Sequence, residues 1–159
     1  EAEDIYFLAS DAGYGFMAKL EDLSVKTKNG KSILSVPKGA GVLVPACVYD
    51  ADADFIAAVS NTGRLLVMGI QEFPQLGKGK GIKFIQIPPA KLKTREEYVA
   101  ALTVFSEGDS LRFTAGKRPL TLKPADIDHY YGERGRRGNV LPQGYRKVSR
   151  LLTIRAGEA

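Results

Sequence analysis

Short runs of β-branched, aromatic and aliphatic residues recur along this chain, each broken by Gly, Asn or Asp. Ile5–Ser10 and Tyr14–Lys19 flank Asp11-Ala12-Gly13, and Phe55–Ser60 and Arg64–Met68 flank Asn61-Thr62-Gly63. Ser110–Thr114 and Pro119–Lys123 flank a similar turn at Gly116. A short loop whose last residue takes positive φ suits a hairpin, so three β-hairpins are predicted. Each is followed by an acidic-apolar piece, read as a single helical turn or tight bend: Leu20–Leu23, Ile70–Phe73 and Ala125–Ile127. Further strands are predicted over Ile33–Val36, Leu43–Tyr49, Ile82–Ile87, Ala100–Phe105 and Val148–Ile154. The turn glycines Gly13, Gly63 and Gly116 are 50 and 53 residues apart.

A heptad rich in Gly and Lys or Arg closes each copy: Ser24–Gly30, Gln75–Gly81 and Gly132–Gly138. Their last glycines are 51 and 57 residues apart. A period of this length predicts an array of β-blades. The repeats lie at about 5–50, 54–106 and 110–155, within a single domain over 1–159. Three blades cannot close a ring, because each needs a neighbour on both sides. The expected fold is therefore all-β, and either the product is an open arc of about three repeats or residues outside this chain complete the ring. The spacing Thr94-Arg95-Glu96-Glu97 predicts a capped helix start in the connection Pro88–Tyr98. Asp50, Asp52 and Asp54 read as a solvated acidic linker between the first two repeats, since the segment lacks the glycine and distal Glu of a calcium loop.

With 159 residues the chain can bury a real core. Its 17 glycines, 8 prolines and no Trp favour short strands joined by turns. The net charge of +5 makes a polyanion a reasonable partner. The lone Cys47, between Ala46 and Val48, reads as a buried small hydrophobe, and the absence of a disulfide framework fits a reducing cytoplasm. No apolar stretch approaches membrane-spanning length, and Glu1-Ala2-Glu3-Asp4 is the opposite of a signal peptide. The start without Met, close to the first strand, reads as that of an excised piece.

The cations gather at the glycine heptads and the acids at the connections. Lys26 and Lys28 lie in the first heptad, Lys78 and Lys80 in the second, and Arg134, Arg136 and Arg137 in the third. Lys31, Arg64, Lys83, Lys117, Arg118, Arg146, Lys147 and Arg150 are expected near the same edge. Glycines let a backbone approach a phosphate and expose its N–H donors, while Lys and Arg add charge and forked hydrogen bonds. Three such loops in register suit tracking of a long nucleic-acid backbone; the bland alternative is sharp turns with solvated cations. Gly30-Lys31-Ser32 is no phosphate loop, because the glycine needed upstream is missing.

No catalytic or metal-binding group is predicted. His129 stands beside Tyr130 and Tyr131 without a nucleophile partner. Tyr14, Phe16, Phe73, Phe84 and Phe113 are spaced as core residues; Tyr130, Tyr131 and Tyr145 flank a basic segment and are candidates for sugar-phosphate contact.

The heptads resemble variants of the gyrase A box, Gln-Arg-Arg-Gly-Gly-Lys-Gly. Gln75, Gly79, Lys80 and Gly81 match it, as do Arg134, Gly135 and Gly138, with Arg137 in place of the lysine. The first heptad keeps Gly30, with Lys26 at an Arg position. No copy is a full box. That departure, together with Leu8–Phe16, Pro74–Gly81 and Gly132–Gly138, resembles the C-terminal domains of topoisomerase IV A subunits (ParC), within the gyrase A C-terminal-like repeat family. The resemblance runs from about Ile5 to about Ile154.

It implies a β-pinwheel, a propeller-like disc of four-stranded blades that exchange strands, often an open ring and with more than three blades. It implies a non-catalytic module that binds and bends double-stranded DNA for an ATP-dependent type II topoisomerase core, which decatenates and relaxes. ATP, magnesium and the cleaving tyrosine would belong outside this chain, so no cofactor is expected in it. The implied partners are the rest of topoisomerase IV, in its A and ATPase B subunits, and the bacterial condensin. The implied place is the cytoplasm of a bacterium, at the nucleoid, with no membrane. A gyrase A wrapping domain and a protein-interaction propeller with a basic rim are the alternatives.

Overall fold

The predicted hairpins all form in the computed structural model of the chain, which describes residues 4–19, 36–37, 39–77, 79–142, 144–145 and 147–156. The first heptad with Lys26 and Lys28, Lys31, the piece Leu20–Leu23, the strand over Ile33–Val36 save its last residue, Lys78 and Arg146 lie outside the described residues. Strands β1 (Ile5–Ala9) and β2 (Tyr14–Lys19) make the first hairpin. β4 (Phe55–Ser60) and β5 (Arg64–Gly69) make the second, and β8 (Ser110–Ala115) and β9 (Arg118–Leu122) the third. Gly13, Gly63 and Gly116 take φ of 94°, 85° and 63°, as the turns require.

The remaining strands are β3 (Ala46–Val48), β6 (Ile82–Lys83), β7 (Val99–Phe105), β10 (Asn139–Val140) and β11 (Arg150–Ile154). They build three antiparallel sheets, ordered β3-β1-β2-β6, β10-β5-β4-β7 and β11-β8-β9. Two strands cross between repeats. β6 leaves the second repeat to pair with β2, and β10 leaves the third to pair with β5. Each of the first two blades is thus completed by the chain that follows the next repeat's heptad. The sheets converge along β3, β7 and β11, which pack beside one another, while β6 and β10 occupy the opposite sheet edges.

The middle blade is apolar on both faces because it is covered on both. Along β4 and β5, Ile56, Ala58, Leu66 and Met68 join the core shared with the first blade. Ala57, Val59, Leu65 and Val67 alternate with them and face the third blade's Leu111, Phe113 and Leu122. Phe7 anchors the first core, with Phe73 edge-on at 5.0 Å and Phe84 at 6.0 Å between ring centroids. Each fully buried Phe contributes roughly 1.5–3 kcal/mol of transfer free energy. On β8, Arg112 is exposed between buried Leu111 and Phe113, so the far face of the third blade is polar.

Several expectations need correction. The helix of the second connection, α1, spans Pro89–Lys93, and Thr94 ends it rather than starting one. Pro89 sits at a first-turn position, where the missing N–H costs nothing, and Arg95 breaks the helix at φ 62°. The two acidic-apolar pieces among the described residues do form short turns, a 3₁₀ turn at Ile70–Glu72 and α2 at Pro124–Ile127. The strand expected over Leu43–Tyr49 shrinks to Ala46–Val48, since Pro45 has no N–H to donate. The one over Ile82–Ile87 stops at Lys83, and Phe84, Ile85 and Ile87 enter the first core instead. Cys47 is half-buried, at an open cleft of about 740 Å³ that β3, β7 and β11 border.

Asp54 is no solvated linker residue. It is buried, accepts the backbone N–H groups of Tyr49 and Asp50, and takes the Ser106 hydroxyl at 2.7 Å. Asp109 has the same role in the next blade, accepting from the N–H groups of Ser106 and Ala156 and from Arg155 at 2.7 Å. Burial pulls the Asp109 carboxyl upward, but these donors outweigh it and hold its pKa below the usual value. A depressed carboxylate stabilises the fold above its unfolded pKa and loses that contribution as pH falls through the folded one. Acid titration followed by circular dichroism should therefore show stability falling below about pH 4, and less steeply in Asp109→Asn, which starts less stable at neutral pH.

Candidate nucleic-acid interface

The described residues of the second and third heptads are pinned at each end to the second strand of the preceding blade. At the start of the second heptad, Met17 N–H donates to the Pro74 carbonyl at 2.9 Å and Leu76 N–H donates to Met17 at 2.8 Å. The chain then loops out and returns antiparallel, Ile82 opposite Gly15 and Lys83 opposite Tyr14. Phe84 N–H closes the return on the Gly13 carbonyl at 2.7 Å. The third heptad repeats this on β5: Gly132 N–H donates to Val67 at 3.1 Å, Asn139 and Val140 pair with Leu65 and Arg64, and Leu141 N–H donates to Gly63 at 2.8 Å.

The closing glycines make the return possible. Gly81 and Gly138 have φ of 81° and 78°. A Cβ on Gly81 would lie 2.0 Å from the Gly15 carbonyl oxygen, and one on Gly138 would lie 2.6 Å from that of Leu65. Their role is close backbone approach to the blade.

The loops are also fastened to each other. Gly135 N–H donates to the Phe84 carbonyl at 2.9 Å and Gln86 N–H to that of Arg136 at 2.9 Å. Arg134 Nη1 reaches the Lys83 carbonyl at 2.6 Å. Arg137 Nη2 donates to Glu97 Oε1 at 3.0 Å, and its Nη1 donates to the Gln86 carbonyl at 3.0 Å and lies 2.8 Å from Glu97 Oε2 as an ion pair. Glu97 is only 2% exposed. Arg64 donates to the Gly138 carbonyl.

The two loops that lead into the sheet-edge strands β6 and β10 thus lie against each other and bring their cations to these edges. Lys80 is exposed, with its ammonium 4.7 Å from the Tyr14 ring centroid, and Lys83 lies 6.0 Å from the same ring and donates to Gln86 Oε1 at 2.7 Å. Such ring contacts hold an ammonium while leaving it hydrated. Both lysines and Lys93 border a cleft of about 530 Å³ with an apolar floor of Ile87 and Leu92. Arg134 and Arg136 are exposed beside them.

Other predicted cations are placed apart. Lys117 and Arg118 sit at the tip of the third hairpin, where Arg118 stacks on Tyr145 at 5.6 Å. Lys147 borders a separate cleft with Asn61, Thr62 and Glu96. Arg150 is exposed at the start of β11, on the side where the sheets converge. Tyr130 is buried in the second core, which removes it from the residues expected to touch a sugar-phosphate edge. Tyr131 is 40% exposed against Phe55, and its pKa is pushed up to about 12 by burial and then by Asp128 and Glu107. His129 is exposed. Among the described residues no cluster of His, Cys, Asp or Glu could hold a metal ion, and no helix is long and apolar enough to cross a membrane.

Glu97, Gln86 and Tyr14 organise this surface, yet nothing in the sequence singles them out for it. Only the position of Tyr14 opposite Lys83 in the ladder reveals the ring's role, and that pairing is non-local.

The profile of the family described as DNA gyrase C-terminal domain, beta-propeller, matches residues 4–46 and 54–106. The chain belongs to this family. It is 51% identical over 148 residues to the A subunit of DNA topoisomerase 4 from Pseudomonas aeruginosa, covering 93% of this chain and 20% of that protein. With the same subunit of Haemophilus influenzae the identity is 42% over 147 residues, covering 92% and 20%. The chain thus spans about a fifth of the length of these relatives. A solved structure of the Escherichia coli ParC C-terminal domain superposes with a TM-score of 0.82 at 32% identity, covering 96% of this chain and 61% of that one. A gyrase A C-terminal domain gives 0.74 at 10% identity, covering 97% and 50%, and shares the fold. The open blade array that the sequence implied is the fold observed.

Proposed function

We propose that this chain is the DNA-binding and DNA-bending module of a topoisomerase IV A subunit, itself non-catalytic. The observation that carries the reading is the pair of cationic loops, locked to successive blades and to each other along the sheet edges away from the convergence. A duplex laid across them meets Lys80, Lys83, Arg134 and Arg136 in turn, while Arg137 positions the third loop. Lys26, Lys28, Lys31, Lys78 and Arg146 are further phosphate contacts in this reading by their place in the sequence, Arg64 holds the third loop through the Gly138 carbonyl, and Lys117, Arg118 and Lys147, placed apart, would meet only a duplex that runs past the two loops.

Bending ~20–30 base pairs by tens of degrees costs roughly 1–6 kcal/mol. Phosphate contacts and counterion release along a curved cationic rim offset that. Lysines and turn amides position phosphates and read few bases. The bent segment is presented to the ATP-dependent type II core, whose ATP and magnesium sites lie in the other domains of the topoisomerase, outside this chain. The bacterial condensin is a further partner, and the place of work is the cytoplasmic nucleoid.

Binding to a fluorescent duplex across a salt series tests this. A slope of log K against log[salt] of about −4 or steeper, meaning roughly five or more phosphates, supports the rim. Lys80→Gln with Lys83→Gln should flatten the slope by about 1.8, two contacts at ~0.9 each. A folded chain that binds no duplex at low salt refutes the reading, and strong positive writhe in plasmid DNA would favour a gyrase-type wrapping domain.

A further inference from the structure

We propose that Glu133 acts as a built-in phosphate mimic that occupies Arg136 and thereby sets how strongly the third loop holds DNA. The proposal rests on the rim reading above and concerns the regulation of that same site. Glu133 is the sole acidic residue in the three heptads. Its Oε2 accepts Arg136 Nε at 3.0 Å and lies 2.9 Å from Arg136 Nη2. The backbone turn Arg136 N–H to Glu133 carbonyl, 3.2 Å, sets the two side chains on one side of the loop.

The three arginines of this loop are committed in different ways. Arg137 is spent on a carboxylate that is 2% exposed, so the fold itself demands that pair. Arg134 gives one donor to a main-chain carbonyl, which leaves its charge uncompensated. Arg136 and Glu133 are 70% and 76% exposed, and no burial requires their pairing. The pair uses the Nε and Nη2 edge of the guanidinium, which is the edge that takes two phosphate oxygens in a forked contact. A single carboxylate oxygen fills it here. A duplex phosphate can take this forked edge of Arg136 only by displacing Glu133, and the displaced carboxylate then lies beside the DNA charge. An exposed pair of this kind shifts an equilibrium by up to about fivefold.

The test is duplex binding by fluorescence anisotropy across a salt series, with the whole chain as wild type, Glu133→Gln, Arg136→Gln and the double variant, and Lys80→Gln as a rim control. The expected result is that Glu133→Gln tightens binding about fivefold near 0.1 M salt and steepens the slope by about 0.9, one further phosphate. In the Arg136→Gln background the same substitution should change affinity less than about twofold. An equal gain in both backgrounds would reduce Glu133 to a diffuse charge and overturn the proposal. So would no gain at all; if Lys80→Gln still weakens binding in that case, the rim reading survives and the gate alone fails. Absence of binding by the wild type overturns both. All the altered side chains are exposed, and unchanged thermal midpoints will show that the variants fold.

Discussion

Gly81→Ala is expected to destabilise the fold by about 3 kcal/mol or more, the left-handed conformation costing ~1–2 kcal/mol and the clash the rest. The new Cβ would lie 2.0 Å from the Gly15 carbonyl oxygen, and the obstacle is strand backbone, which cannot swing aside as a side chain can. Relief requires β6 to leave β2, giving up the Ile82 and Lys83 pairing and the Phe84 hydrogen bond. Thermal unfolding should show Tm lowered by roughly 6–12 °C, at 2–4 °C per kcal/mol for a domain of this size. Gly116→Ala is the control. It also has positive φ, 63°, but nothing lies within 4 Å of its Cβ, so it should lose only the ~1–2 kcal/mol conformational contribution. Equal losses at the two sites would mean that the close approach is not what fixes Gly81. Duplex affinity should fall with Gly81→Ala and hold with Gly116→Ala, because only the first loosens the loop that carries Lys80.

The features of this fold that can be read from sequence are local ones. Hairpin turns announce themselves through Gly13, Gly63 and Gly116, and the doubly buried middle blade through the unbroken apolar runs Ile56–Val59 and Leu65–Met68. What cannot be read is decided by partners far along the chain. Ile82 and Lys83 carry no mark of pairing with Gly15 and Tyr14, so they read as the start of a longer strand of their own repeat. Thr94 and Glu97 have capping-box spacing, but the Glu97 carboxylate belongs to Arg137 of the next repeat, and Pro89 is the residue that opens the helix. Asp54 looks solvated among neighbouring acids, yet its acceptors are filled by two turn amides and by Ser106, just past the end of β7. The heptads themselves are legible as charged loops. Their sixth positions show the limit: Lys80 faces outward over Tyr14, whereas Arg137 turns inward onto the buried Glu97 carboxylate.

That difference makes Arg137 the second residue whose loss should be severe. Arg137→Met strands the Glu97 carboxylate, 2% exposed, without its counter-charge. Breaking one partner of a buried pair costs about 3–5 kcal/mol, because the remaining ion is desolvated and unmatched. The Gln86 carbonyl loses a donor as well. A fall in Tm of roughly 6–20 °C is expected. The decisive comparison adds Glu97→Met in the same chain. With both ions gone the penalty of the orphaned carboxylate disappears, so the double variant should recover most of the loss, which a plain sum of two damaging changes would not. Arg137→Lys keeps the charge but not the fork, and should fall between. In duplex binding at a temperature where all variants are folded, Arg137→Met should leave the salt slope within about half a unit of wild type, whereas Arg134→Gln should reduce it by about 0.9. If instead Arg137→Met flattens the slope as Arg134→Gln does, Arg137 reaches the phosphates and Glu97 releases it on binding. If the double variant is the least stable of the set, the pair stabilises the fold by more than the desolvation it costs, and the blade interface depends on it directly.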